Sequence, residues 1–170
     1  MNRLQLATLL SWAGENGLEG RKRLQKVVYL LQQAGCPLDC RFTLHHYGPY
    51  SRDVADACDE MVAAGLVKES GGPAENRSYR YQLEPATRTH LQNAPDPQIG
   101  QFQAFGESLI SEDLWKLELG STILYFYGQT NNWETAFAKA CEYKKVETEA
   151  ESSRSALALA KKTHADQRDD

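Results

Sequence analysis

The stretch Arg41-Phe-Thr-Leu-His-His-Tyr-Gly-Pro-Tyr-Ser-Arg-Asp-Val-Ala-Asp-Ala-Cys-Asp-Glu-Met-Val-Ala-Ala-Gly65 decides the fold. Its first seven residues are β-prone. Phe42, Leu44 and His46 share one face of the expected strand, and Thr43, His45 and Tyr47 share the other. Gly48-Pro49 breaks the strand, because proline fixes its own φ and biases the residue before it away from the α region. Ser51 suits an N-cap, and the spacing predicts a helix from there to about Ala64. Val54, Cys58, Met61 and Val62 fall on the buried face of that helix, and Gly65 closes it.

Upstream, Leu4, Leu6, Leu9, Leu10 and Trp12 make an apolar opening helix that stops near Gly14 and Gly17. A second helix covers about Arg21 to Ala34, with Leu24, Val27, Val28, Leu31 and Ala34 on one face; Gly35 and Pro37 end it. Downstream, Leu66-Val67 starts a strand, Ser70-Gly-Gly-Pro73 is read as a loop, and Ser78-Tyr-Arg-Tyr-Gln-Leu83 alternates as a second strand. The order is helix, helix, short strand, helix, hairpin. That is the order of a winged helix-turn-helix, with the third helix as candidate recognition helix and the hairpin as wing.

The second half reads as helical. Pro85 suits a helix start, and Ala94-Pro-Asp-Pro97 is a break. Ser111-Glu-Asp113 is expected to open a helix running to about Tyr127, apolar on most sides and central. Asn131 with Glu134 has the spacing of a capping box for a helix to about Tyr143. A last helix spans about Glu149 to Lys162, and Thr163 to Asp170 reads as a frayed tail. The expected fold class is mainly α (α+β), a winged helix-turn-helix core with a C-terminal helical extension. Residues 1–93 form the core, 94–162 pack on it, and 163–170 are a flexible tail.

The chain has 170 residues, 19 Lys+Arg against 23 Asp+Glu, and a formal charge of −4. Its 41% hydrophobic content is too high for a disordered chain. No apolar run approaches the roughly 18 residues needed to cross a bilayer, and the first ten residues lack a signal-peptide pattern. Four cysteines without an export signal point to reduced thiols in a cytoplasmic protein.

The sign of the charge is local. Residues 1–83 carry 10 bases and 9 acids, whereas residues 84–170 carry 9 and 14. The third helix holds Asp53, Asp56, Asp59 and Glu60 against Arg52, a net of −3, with the acids on the side opposite its apolar face. A winged helix that reads DNA inserts this helix between two rows of phosphates, where such a charge is repelled and counterion release does not drive binding. The face is either simply solvated or the surface that meets a basic protein partner, one that itself binds nucleic acid. The bases gather elsewhere: Arg21, Lys22, Arg23 and Lys26 open the second helix, and Lys68, Arg77 and Arg80 lie on the wing. They define an alternative contact with DNA. A second copy of the chain is the remaining partner option.

Common enzyme signatures are missing: the sequence contains no GxxxxGK[ST], GxGxxG, HExxH or GxSxG. Cys36 and Cys40, three residues apart and followed by His45-His46, make a poor metal motif, because adjacent strand histidines point opposite ways. The sequence therefore suggests no catalytic residue, metal or cofactor.

Two segments carry a resemblance. The first is Leu24-Gln-Lys-Val-Val-Tyr-Leu-Leu31, then Gly35, Phe42 and Tyr47-Gly-Pro-Tyr-Ser51. The second is Leu117-Glu-Leu-Gly-Ser-Thr-Ile-Leu-Tyr125 followed by Asn132-Trp-Glu134. Together they resemble the YwgA-like family of small bacterial and archaeal proteins over most of residues 20–162. The first segment is also similar to Panacea antitoxin domains and to the C-terminal domain of DarG antitoxins. The motif has an architectural reading, with a sharp turn at Gly48-Pro49 flanked by Tyr47 and Tyr50. The resemblance itself implies an antitoxin-like module that neutralises a toxin by direct contact, in the DarG case by presenting a nucleic-acid-like surface. Tyr47, Tyr50, Arg52, Asp53, Asp56, Asp59 and Glu60 are then the expected partner-binding residues. The chain has no macrodomain, so the de-ADP-ribosylating half of DarG is missing.

Overall fold

The computed structural model describes residues 1–94 and 96–166. The elements are α1 (Arg3–Ser11), β1 (Leu18–Glu19), α2 (Arg21–Gln33), β2 (Thr43–His45), β3 (Gly48–Tyr50), α3 (Arg52–Ala63), β4 (Val67–Gly72) and β5 (Arg77–Leu83). They continue with α4 (Pro85–Asn93), α5 (Pro97–Gly100), α6 (Gln103–Ser111), α7 (Leu114–Thr130), α8 (Trp133–Lys144) and α9 (Glu151–Asp166). The molecule is mainly helical with a small antiparallel sheet, consistent with a winged-helix-like fold extended by C-terminal helices.

The wing is a three-stranded antiparallel sheet in the order β1-β5-β4. The short β1, which sequence reading did not find, pairs Leu18 with Tyr81 and Glu19 with Arg80. Ser70–Gly72, expected as a loop, belongs to β4. A bulge between Ser70 and Gly72 lets the strand run on, and the connection is a 3-10 turn at Pro73–Glu75. Gly71 has φ +81, and a Cβ there would stand 2.2 Å from the Ser78 carbonyl oxygen.

Gly48-Pro49 does not end the first strand region but starts its partner. His46 and Tyr47 form a two-residue turn, and β2 and β3 pair Thr43 with Tyr50, Leu44 with Pro49 and His45 with Gly48. Gly48 has φ +93, which glycine adopts without strain. Ser51 takes the N-cap position of α3, yet its buried hydroxyl makes no cap bond and has no partner among the described residues.

Three helix boundaries differ from the sequence reading. Ser111 ends α6, and Asp113 caps α7 by accepting from the Lys116 N–H at 3.0 Å. Asn131 ends α7 in the left-handed region with φ 48, and Asn132 caps α8 by accepting from the Thr135 N–H at 2.9 Å. The last helix reaches Asp166, with Thr163 buried and its hydroxyl donating to the Leu159 carbonyl. It therefore passes residue 162, where a tail was expected; residues 167–170, and Pro95 within the expected break, lie outside the described residues.

One apolar core runs through both halves. The central helices are α2 and α7. On α2 every residue from Leu24 to Leu31 is buried, because α6, α7 and α9 cover the side that the wing and α3 leave open. That packing places Gln25 and Lys26 inside the molecule, although neither belongs to the apolar face expected for α2 and Lys26 groups in sequence with the exposed bases. Among the described residues no helix is long and apolar enough to cross a membrane.

Candidate functional site

Both motif segments converge on Gly48. Gln25 clamps the backbone of Ser51: its Nε2 donates to the Ser51 carbonyl at 2.9 Å, and its Oε1 accepts from the Ser51 N–H at 2.8 Å. The next residue, Lys26, donates from Nζ to the Pro49 carbonyl at 2.6 Å. From the other side α7 closes in. A Cβ on Gly48 would lie 2.6 Å from Thr122 Oγ1 and 3.3 Å from the Glu118 carbonyl, so only glycine fits. The Leu-Gln-Lys and Tyr-Gly-Pro-Tyr-Ser runs are thus two halves of one clamp that fixes the β2–β3 hairpin and the entry to α3.

A cleft of about 470 Å³ opens beside this clamp, between α2, the hairpin and α3. Leu24, Val54 and Cys58 supply apolar lining. Arg21, Lys22 and Lys26 come from α2, while Arg52, Asp56 and Asp59 come from α3. At the hairpin, the His45 and Tyr50 rings stack with centroids 4.8 Å apart. Tyr47 is half exposed, and the Lys22 ammonium sits 3.3 Å from the centre of its ring. Such a volume is in the range of sites for small organic ligands or single side chains of a partner.

Below the hairpin turn lies a charge cluster. The Glu118 carboxylate stands 3.2 Å from Lys144 Nζ and 4.0 Å from Lys22 Nζ, and Lys144 also donates to the His46 carbonyl. Burial, together with the nearby Lys144 and Lys22 and despite Glu118, brings the Lys26 amine down to about 8.

No family model matches the chain. It is, however, 33% identical over 128 residues to the uncharacterized protein YwgA of Bacillus subtilis (strain 168), an alignment covering 73% of this chain and 74% of that protein. The chain belongs to the YwgA-like family.

In this YwgA-like chain the two sets of expected contact residues meet in part. Tyr47, Tyr50, Arg52, Asp56 and Asp59 line the same cleft as Arg21, Lys22 and Lys26. Asp53 and Glu60 from α3, and Arg23, Arg77 and Arg80 from the basic set, do not. Asp53 is half-buried and structural: it accepts from the Arg41 N–H at 2.8 Å and pairs with the Arg41 guanidinium, contacts that hold its carboxyl below the ordinary range. Asp56 pairs with Arg52 at 2.8 Å, and Glu60 with Arg3 at 3.5 Å. Asp59 is exposed and forms no ion pair among the described residues.

Only part of the basic set is turned inward, and Arg21 and Lys22 stay exposed. Lys26 is 2% exposed and not part of an exposed helix start. Arg23 donates to the carbonyls of Ile110 and Glu112. Arg21 pairs with Glu69 at 2.7 Å and stacks 3.8 Å over Tyr79, while Arg80 pairs with Glu19 at 2.6 Å. Arg77 remains exposed on the wing. All four cysteines are buried free thiols, and among the described residues no group of three His, Cys, Asp or Glu is placed to hold a metal ion.

Residues that sequence reading did not assign to the site are Gln25, Glu118 and Lys144. The first two lay within the motif segments. Lys144 carried no signal, because it reaches the hairpin from α8 across 98 residues of chain.

Proposed function

We propose that this YwgA-like protein is a non-enzymatic interaction module that binds a basic protein partner through the outer side of α3 and the tip of the β2–β3 hairpin, in an antitoxin-like or regulatory role. The observation that carries this reading is the row of exposed acids on α3, Asp56, Asp59 and Glu60, of which Asp59 has no ion pair among the described residues. Of the basic set, Arg23 and Lys26 are tied to carbonyls within the fold, while Arg21 and Arg80 are ion-paired at the surface. An exposed acidic row beside a half-exposed Tyr47 suits a partner surface built to hold nucleic acid. The likeness of the first motif to Panacea and DarG domains points the same way, and cytoplasmic toxins or nucleic-acid enzymes are the partner class it suggests.

The reading is tested with Asp56→Lys/Asp59→Lys, two exposed positions whose change leaves the core untouched. The product of the neighbouring gene is co-expressed with tagged wild type and with the variant. A stoichiometric complex is expected with wild type and not with the variant, at a thermal midpoint within about 2 °C of wild type. Equal complex formation by both proteins would sink the reading. Tight duplex-DNA binding at low salt that is lost in Arg77→Glu would replace it with a DNA-binding regulator.

A further inference from the structure

The buried amine of Lys26 is only partly satisfied. An ammonium carries three donors, yet among the described residues the Pro49 carbonyl is its one hydrogen-bond acceptor. Among the described residues no carboxylate comes within ion-pairing distance of it, and the nearby Glu118 is already shared by Lys22 and Lys144. Three ammonium groups thus surround one carboxylate, an excess of two positive charges. The Lys144 side chain is only 14% exposed and Lys26 is 2% exposed, while Lys22 is 45% exposed, so water screens the cluster chiefly on the Lys22 side. An arrangement of this kind is stabilised by an anion.

Lys26 and Lys22 both line the cleft, as does Gly48 beside them. We propose that the cleft is a binding site for an organic phosphate of mononucleotide size, its phosphate held by Lys26 and Lys22. A phosphate dianion matches the excess of two charges. Its body lies over Leu24, Val54 and Cys58, next to the stacked His45–Tyr50 pair. Asp56 and Asp59, on the α3 wall, accept from amino or hydroxyl groups of that body. The cleft volume exceeds what inorganic phosphate needs, and the apolar lining has no use for a bare ion. The two acids also rule out a run of successive phosphates, so the ligand is a single small molecule and not a nucleic-acid strand. The proposal shares Asp56 and Asp59 with the partner reading, but its phosphate contacts come from α2, and binding of a nucleotide by the chain alone is measured without any protein partner.

The test titrates the full chain with the monophosphates of adenosine, guanosine, cytidine and uridine, with inorganic phosphate, and with the four unphosphorylated nucleosides. Calorimetry is expected to show saturable one-site binding of at least one nucleotide, at least tenfold weaker binding of inorganic phosphate, and no binding of the nucleosides. Pulse acylation with acetic anhydride, read by mass spectrometry, is expected to show the exposed Lys22 protected by that nucleotide while Lys68 and Lys139 react unchanged. This footprint uses the wild-type protein and does not depend on a variant folding. Lys22→Ala and Lys26→Met should each weaken binding at least tenfold. No saturable binding by any of the four nucleotides, equal affinity for inorganic phosphate, or nucleotide binding that leaves Lys22 acylation unchanged would each overturn the proposal.

Discussion

Lys26 and Gln25 are neighbours on one helix, and burial treats them differently. The Gln25 amide is neutral and finds both of its partners on Ser51. The Lys26 charge must be desolvated with a single carbonyl for company. Its amine falls to about 8 in the folded protein, against 10.5 when unfolded. Below pH 8 both states are protonated, and the folded state carries the full cost of the buried charge. Between pH 8 and 10.5 the folded state releases its proton first, so this contribution to stability rises with pH, by roughly 3 kcal/mol in all. Lys26→Met lacks the titration. Urea midpoints of wild type and Lys26→Met are therefore expected to diverge in favour of wild type from pH 7.5 to 10. A difference that stays constant with pH would show that the amine is not desolvated. In sequence, the periodicity of residues 21–34 sets Lys26 apart from the apolar face. The helices that cover it lie 77 or more residues away in the chain, and that periodicity carries no sign of them.

At the scale of elements, the β2–β3 hairpin and the start of α3 depend on the Gln25 clamp, because Ser51 supplies no side-chain cap. Gln25→Leu keeps the volume but leaves the buried Ser51 N–H without a partner and its carbonyl with only the 3.4 Å bond from the Ala55 N–H. An orphaned group costs about 1–3 kcal/mol, so a loss of that order is expected in chemical denaturation. Hydrogen exchange should speed up first in residues 43–55. A loss under 1 kcal/mol would mean that the clamp is incidental. Element types were legible wherever a pattern repeats, as in α2, α3 and the alternating β5. Boundaries were harder where two signals compete. Asn131 and Asn132 both suit helix ends. The first takes the left-handed position that ends α7 and the second caps α8, a division that residue type alone does not decide. In the same way Gly71-Gly72 signalled a loop, although the glycines serve a bulge within β4. Of the candidate site, the Tyr47 to Glu60 and Arg21 to Lys26 segments were legible as chemistry. Their meeting in one cleft was not, because it is set by the docking of the hairpin between α2 and α7.

At the scale of the whole molecule, the winged-helix half and the helical half share a core. Leu24, Val27, Val28, Leu30 and Leu31 of α2 are each at most 2% exposed, and that burial needs α6, α7 and α9 as well as the wing. Uncovering three or four such side chains costs roughly 5–10 kcal/mol at about 1.5–3 kcal/mol each, which equals the net stability of an ordinary domain. It would also strip Gly48 of the α7 surface against which the hairpin rests. A fragment of residues 1–93 is therefore expected not to fold alone, despite holding every element of a winged helix. Its circular dichroism should lack a cooperative thermal transition, and mixing it with a 94–170 fragment should restore both the transition and the protection of the β2–β3 hairpin. A fragment that melts cooperatively without its partner would show instead that the helical half is an appendage, and the cleft would then have to be explained by α2, α3 and the hairpin without α7.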